Sequence, residues 1–379
     1  MTTVQSLMDA MQRIAPLEYA EPWDKVGLQV GSPSRPLDGP ALLTIDLTER
    51  VLEEAIDRRA RAIIAYHPPI FEPLKRVTDQ TPRQRIILGA AAAGIAIFSP
   101  HTALDAAPGG VTDWLCEGLS GGQGRVEGDC RALTPHGARD AEQEVKIVTF
   151  VPYTDAEKVR NALASAGAGI IGAYQVCSFG VTGTGTFLAG EGAKPTVGAP
   201  GRLEEVSELR LEMVCSKRAL PLAIDTLRKF HPYEEPAFDV YELVPKPLRG
   251  AGTGRRLTLD RPATMRELAQ RLRGFLDRAR IKVALVGEDR PIATLGVVPG
   301  SGGDLAALAR REGCEAFITG EMTHHAVLGA LHAGMSVLLA GHTNTERGYL
   351  PRLAERLRTM LPGVEIVVST TDRDPLSEV

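Results

Sequence analysis

Apolar positions recur along this chain with two alternating rhythms. Helical spacing predicts a helix over 4–14. Segment 41–47 (ALLTIDL) reads as a strand, 49–59 as a helix and 61–65 (RAIIA) as a short buried strand. A helix follows over 82–93, stopped by Gly94, and then a strand over 95–98. Strands alternating with helices predict a mostly parallel sheet covered on both faces.

Segment 121–141 has little apolar periodicity and reads as a boundary. After it come a strand over 144–151, a helix over 155–165 ended by Gly167, and glycine-interrupted strand material over 176–188. An alternating strand over 208–215, a helix over 219–230 and a strand over 237–243 complete the segment. The order β-α-β-β-α-β predicts a separate ferredoxin-like domain of roughly 100 residues, with a second boundary around 245–254. The α/β rhythm then returns: helices over 265–276, 305–312 and 326–333, and strands over 281–286, 294–298, 316–319 and 336–340. A long helix over 346–360 and a closing strand over 364–369 end the chain. The expected organisation is an α/β domain in two halves, residues 1–127 and 251–379, with an inserted domain over 142–247.

The two outer segments echo each other. Each carries a helix, an Ala-Gly stop, an apolar strand and then His-Thr-x-x-acid, ending at His101 and Asp105 in one and at His342 and Glu346 in the other. Upstream of each lies another short strand leading to histidine, at His67 and at His324-His325. Two related halves joined by an insertion explain the echo. In open α/β sheets, sites lie beyond the carboxyl ends of the strands, where both polar sequences fall.

Imidazole and carboxylate together suit zinc, iron, manganese and similar divalent ions. Residues four apart at the start of a helix project to one side. Several histidines and two carboxylates in one cleft can hold two ions that together bind and ionise water. A lone His-x3-Glu is equally a surface pair, and Tyr66-His67-Pro68-Pro69 equally a strand end and turn. The loop Pro299-Gly300-Ser301-Gly302-Gly303-Asp304 lies between a strand and a helix, and reads either as an anion contact or as a tight turn.

Composition narrows the classes. The 379 residues are 44% hydrophobic and 24% charged, which is ordinary for a soluble globular chain. Five scattered cysteines form no CxxC pair, which argues for reduced thiols and a cytoplasmic setting. No run approaches the ~18 apolar residues of a membrane span, and the N-terminus lacks the pattern of a signal peptide. The net charge of −4 removes a global nucleic-acid footprint.

Several segments together resemble the dinuclear-metal-centre family of NIF-three-like proteins, also named GTP cyclohydrolase I type 2 homologues. They are Trp23-Asp-Lys-Val-Gly-Leu-Gln-Val-Gly31, Tyr66-His-Pro-Pro-Ile-Phe71, His101-Thr-Ala-Leu-Asp105, Gly320-Glu-Met-Thr-His-His325 and Gly341-His-Thr-Asn-Thr-Glu346. The middle segment, with His231-Pro-Tyr-Glu-Glu-Pro236, resembles a PII- or CutA-like insertion found in longer members. The resemblance implies two divalent ions (zinc, iron, manganese or magnesium), with His67, Asp105 and Glu346 on one and His342 with a bridging Glu346 on the other. Tyr66 stands where many members carry a further histidine ligand, which implies a weaker second site. His101 is implied as the acid or base, and His324 as lining the cleft. A toroidal homohexamer and hydrolysis of a small anionic substrate such as a nucleotide are also implied. The rival is a metal-binding regulatory protein that senses a ligand through the insertion.

Overall fold

The runs Ala41–Thr44, Ala62–Ala65 and Ala96–Ser99 are buried at every position, as strands covered on both faces must be. The helices between them have clear starts and stops. Thr48 caps Glu49–Asp57 by accepting the Val51 N–H, Thr81 caps Pro82–Ala93 by accepting that of Gln84, and Gly94 stops the second helix at φ +70°. The computed structural model describes residues 2–138, 140–276 and 280–376. They fall into two compact units, Met1–His136 with Leu248–Val379, and Gly137–Pro247.

The first unit holds two sheets. In one, the neighbours run Gly27–Val30, Ala96–Ser99, Ala62–Ala65, Ala41–Thr44 and Ile366–Val368. The last four are mutually parallel, and Gly27–Val30 is antiparallel to Ala96–Ser99. In the other, the order is Lys282–Ala284, Ser336–Leu339, Ala316–Glu321, Ile292–Ser301, Lys246–Ala263 and Asp129–Ala138. Here three central strands are parallel, and Lys282–Ala284 runs antiparallel beside Ser336–Leu339. In each sheet an antiparallel edge strand is followed along the chain by three parallel strands that approach it. Leu43, Ile64 and Phe98 from one sheet share a buried cluster with Leu295, Ile318 and Leu338 from the other. The shared core holds the strand ends of both sheets in fixed relation.

Three expectations change. Segment 121–141 is not a bare boundary, because it contains the strand Asp129–Ala138. Likewise 245–254 opens the long strand Lys246–Ala263. The single helix over 346–360 is two, Asn344–Arg347 and Leu350–Met360. Pro351, in the first turn of the second helix, cannot continue a preceding helix but suits a new start.

In the second unit four antiparallel strands lie in the order Phe179–Leu188, Leu203–Cys215, Val145–Pro152, Phe238–Glu242. Helices Ala156–Ser165 and Leu220–Phe230 pack Val159, Leu163, Ala223 and Leu227 against Val145, Ile147, Leu211 and Met213.

Glu54 ties residues 369–371 to the helix Glu49–Asp57. Its carboxylate accepts hydrogen bonds from Ser369, Thr370 and Thr371. Burial alone would raise its pKa, but these bonds outweigh it and hold it at about 2. The unfolded value is about 4.3, so the stabilisation is complete above that pH and fades as pH falls towards 2. Glu54→Gln should therefore lower Tm near neutral pH, and the gap from wild type should close between pH 4.5 and 2. A gap independent of pH in calorimetric scans would refute this account.

Candidate metal centre

The carboxyl ends of the parallel strands converge on one place. Ala62–Ala65 leads to Tyr66 and His67, Ala96–Ser99 to His101, and Ser336–Leu339 to His342. The helix His101–Ala106 puts Asp105 one turn beyond His101. His67, His342 and Glu346 offer ligand atoms all within 4.8 Å of one another. Glu346 Oε2 lies 3.5 Å from His67 Nε2, and Oε1 lies 3.2 Å from His342 Nε2. The Glu346 side chain is only 3% exposed, so its two oxygens face the two imidazoles rather than water.

Each imidazole is braced on its far side. His67 Nδ1 lies 2.9 Å from Asp46 Oδ1, and His342 Nδ1 lies 2.9 Å from Glu321 Oε1. A carboxylate there fixes the ring and leaves Nε2 aimed at Glu346. Arg347 in turn bridges Asp46 and Asp372. Burial disfavours charge on His67, but bonds to Asp46 and Glu346 prevail and raise its pKa to about 10. The bond to Glu346, against burial, raises His342 to about 9. Glu346 is lowered, since the two histidines outweigh its burial. A divalent cation competes with these protons for the same atoms, so acid opposes its binding.

Asp105 is placed differently. Tyr66 donates to Asp105 Oδ1 at 2.6 Å. Burial, partly offset by that bond and reinforced by the charge of Glu346, raises Asp105 to about 7. The buried Tyr66 hydroxyl is pushed well above its ordinary value, so it holds its proton. His101 packs edge-on against Tyr66 and His67, with ring centroids 5.6 and 5.4 Å apart. Its Nδ1 lies 2.9 Å from Asp24 Oδ2, and its backbone sits at φ +29°. His324 is exposed on the first turn of His324–His332, with its ring against His325.

Gly300 matters here for a reason other than anion binding. At φ +59° it brings backbone against the ligands, and a Cβ there would lie 2.6 Å from Glu346 Oε1. The Gly300 N–H donates to Thr345 Oγ1, and that of Gly302 to Thr319 Oγ1. Those two donors are engaged within the fold and are not free for an anion. Sequence reasoning did not single out Asp46, Glu321 or Asp24. Asp46 and Glu321 had a signal, since each is an acid at the carboxyl end of an apolar strand.

The fold and this group define a mixed α/β protein with a candidate His/carboxylate metal site. The whole chain supports a narrower statement: over residues 2–375 it matches the Duf34/NIF3 (NGG1p interacting factor 3) family, and it belongs to that family. It is 35% identical over 377 residues to the GTP cyclohydrolase 1 type 2 homolog of Bacillus subtilis, covering 98% of each chain. It is 34% identical over 389 residues to human NIF3-like protein 1, covering 99% of this chain and 92% of that one. The crystal structure of a Bacillus cereus protein related to NIF3 aligns with TM-score 0.64 at 33% identity, over 100% of this chain and 99% of that one. A Staphylococcus aureus protein shares the fold at TM-score 0.73 and 22% identity, over 100% of this chain and 99% of that one. Among the described residues, no helix is long and apolar enough to cross a membrane.

Proposed function

We propose that this protein is a metal-dependent hydrolase of a small anionic or nucleotide substrate. Its centre would hold two divalent ions through His67, Asp105, His342 and Glu346, with Glu346 shared. The observation that carries the reading is Glu346: a buried acid whose two oxygens face two imidazoles that are each braced by another carboxylate. That donor set fits a borderline divalent ion such as zinc, iron or manganese. Such an ion supplies a Lewis acid and a water that ionises near neutral pH. In this reading His101, held beside Asp24, moves the proton, and the Tyr66 hydroxyl orients Asp105. The names borne by the bacterial relatives support ring opening of a purine nucleotide as the first reaction to try.

The family resemblance alone supports a toroidal homohexamer acting in the cytoplasm. The strand order of the second unit, with both helices on one face, supports reading the insertion as ferredoxin-like, of PII or CutA type. Protein loaded with zinc or manganese should turn over at least one member of a nucleotide and phosphoester panel. Asp105→Ala should cost ~100-fold or more. Equal turnover by both proteins would defeat the hydrolase reading.

One observation favours a regulatory role beside or instead of catalysis. The second unit contains a cavity of about 640 Å³ lined by Phe150, Phe187, Lys194 and Tyr233, among others. A ligand held there would raise the Tm of the metal-free full chain, an effect that Asp105→Ala would leave intact.

A further inference from the structure

Two large aromatic side chains stand exposed beside the candidate metal centre, each next to an anchored residue. Trp23 is 57% exposed and Phe71 is 48% exposed, with ring centroids 5.9 Å apart. The residue after Trp23 is the buried Asp24, whose Oδ2 accepts the N–H and the hydroxyl of Thr102. The Glu21 N–H donates to the same Thr102 hydroxyl, so the turn carrying Trp23 is tied at both ends. The residue before Phe71 is equally fixed, because the Gln29 amide both accepts from the Ile70 N–H and donates to the Ile70 carbonyl. Exposed aromatic surface is unfavourable in water, and holding it rigid adds a conformational cost that packing does not explain.

The rings are also continuous with the centre. The Trp23 centroid lies 6.1 Å from that of His101, His101 lies 5.4 Å from His67, and His67 lies 5.5 Å from His342. A row of rings therefore leads from solvent to the metal-ligating group. Planar conjugated molecules stack on such surfaces at little entropic cost, because the surface is already in place.

We infer that Trp23 and Phe71 form a stacking shelf for the heterocyclic ring of the substrate, beside the His67/His342/Glu346 group. The shelf selects a ring-bearing substrate over a bare phosphate ester. This deepens the hydrolase reading and rests on its view of the centre as the place where a small molecule is processed. Trp23 and Phe71 are specificity-determining residues and take no proton.

The chain has two tryptophans, and Trp114 is only 6% exposed, so an emission change on ring contact reports Trp23. Zinc-loaded full-length protein is titrated with ATP, GTP, CTP and UTP, and with inorganic tripolyphosphate as the ring-free control. At least one nucleotide should quench the emission, and tripolyphosphate should not. By calorimetry, Trp23→Leu should weaken the quenching nucleotide on the order of tenfold or more, and Trp23→Phe, which keeps an aromatic face, by only about threefold. Tripolyphosphate should bind wild type and Trp23→Leu alike, which shows that the centre is intact. The shelf is overturned if none of the four nucleotides quenches, or if Trp23→Leu keeps full nucleotide affinity. It is also overturned if the emission follows protein concentration and Trp23→Leu forms a smaller assembly, which makes the face an interface between copies. Turnover measured in parallel separates the two claims. Quenching without hydrolysis removes the hydrolase and keeps the shelf. Hydrolysis with unchanged kcat/KM in Trp23→Leu removes the shelf and keeps the hydrolase.

Discussion

Gly300→Ala should weaken divalent-metal binding at the candidate centre although it replaces none of the candidate ligands. Gly300 has φ +59°, where an L-residue costs about 1–2 kcal/mol. Its added Cβ would lie 2.6 Å from Glu346 Oε1 and 3.2 Å from His342 Nε2. Glu346 is buried and held between two rings, so it has little room to retreat. The methyl group therefore displaces the carboxylate or opens the turn, and either outcome spoils the donor set. Misplacing a group that positions a ligand typically costs 10–100-fold in metal affinity, and this change acts on two ligands at once. The expected result is a loss of about 100-fold in zinc affinity, with a stability loss of about 1–3 kcal/mol. Elemental analysis after dialysis against a weak chelator, beside circular dichroism of the same sample, checks both. Full metal content in the variant would show that the close approach of Gly300 is dispensable.

The second large effect is on folding. Arg255 is wholly buried, and its guanidinium makes six hydrogen bonds: to Asp113 Oδ1 and to the carbonyls of Gly250, Gly252, Gly254, Ala106 and Ala107. Two of those carbonyls directly follow Asp105, so Arg255 also anchors the helix His101–Ala106. Arg255→Met leaves Asp113 with the Gly109 N–H but without its cationic partner, and takes one donor from each of five carbonyls, of which Ala107 keeps the Gly110 N–H. Breaking a buried pair in this way costs about 3–5 kcal/mol. Tm should fall by roughly 5–9 °C. Arg255→Lys should recover little, because an ammonium has three donors and no planar fork. A thermal melt of either variant within 2 °C of wild type would contradict the role assigned here.

The sequence was most legible where chemistry and pattern coincide. Runs such as Ala62–Ala65 and Ala96–Ser99 are apolar throughout because both faces are covered, and short apolar runs between helices signal that directly. Asp129–Ala138 reads as a boundary because it has little apolar periodicity and contains Pro135 and Gly137. It is an edge strand, where a missing N–H costs no ladder bond. Gly27–Val30 is too short to show a rhythm, and 101–120 was assigned no element although it forms His101–Ala106 and Val111–Ser120. At the site, His67, His342 and Glu346 were legible from repetition, since two similar segments each ended in His and an acid. The bracing acids Asp46 and Glu321 were not, because a lone acid after a strand is ordinary until a ring is seen against it.

The strand Ile366–Val368 lies parallel beside Ala41–Thr44, in the sheet formed by the opposite end of the chain. The sheet that contains Ala41–Thr44 is therefore incomplete until Ile366–Val368 joins it. A ribosome releasing the leading segment exposes the open flank of Ala41–Thr44, with its unpaired amides, through the synthesis of some three hundred further residues. Removal of the chain from Ile366 onward should therefore do more harm than its modest size suggests, and two separately expressed fragments should recover a native sheet only when mixed.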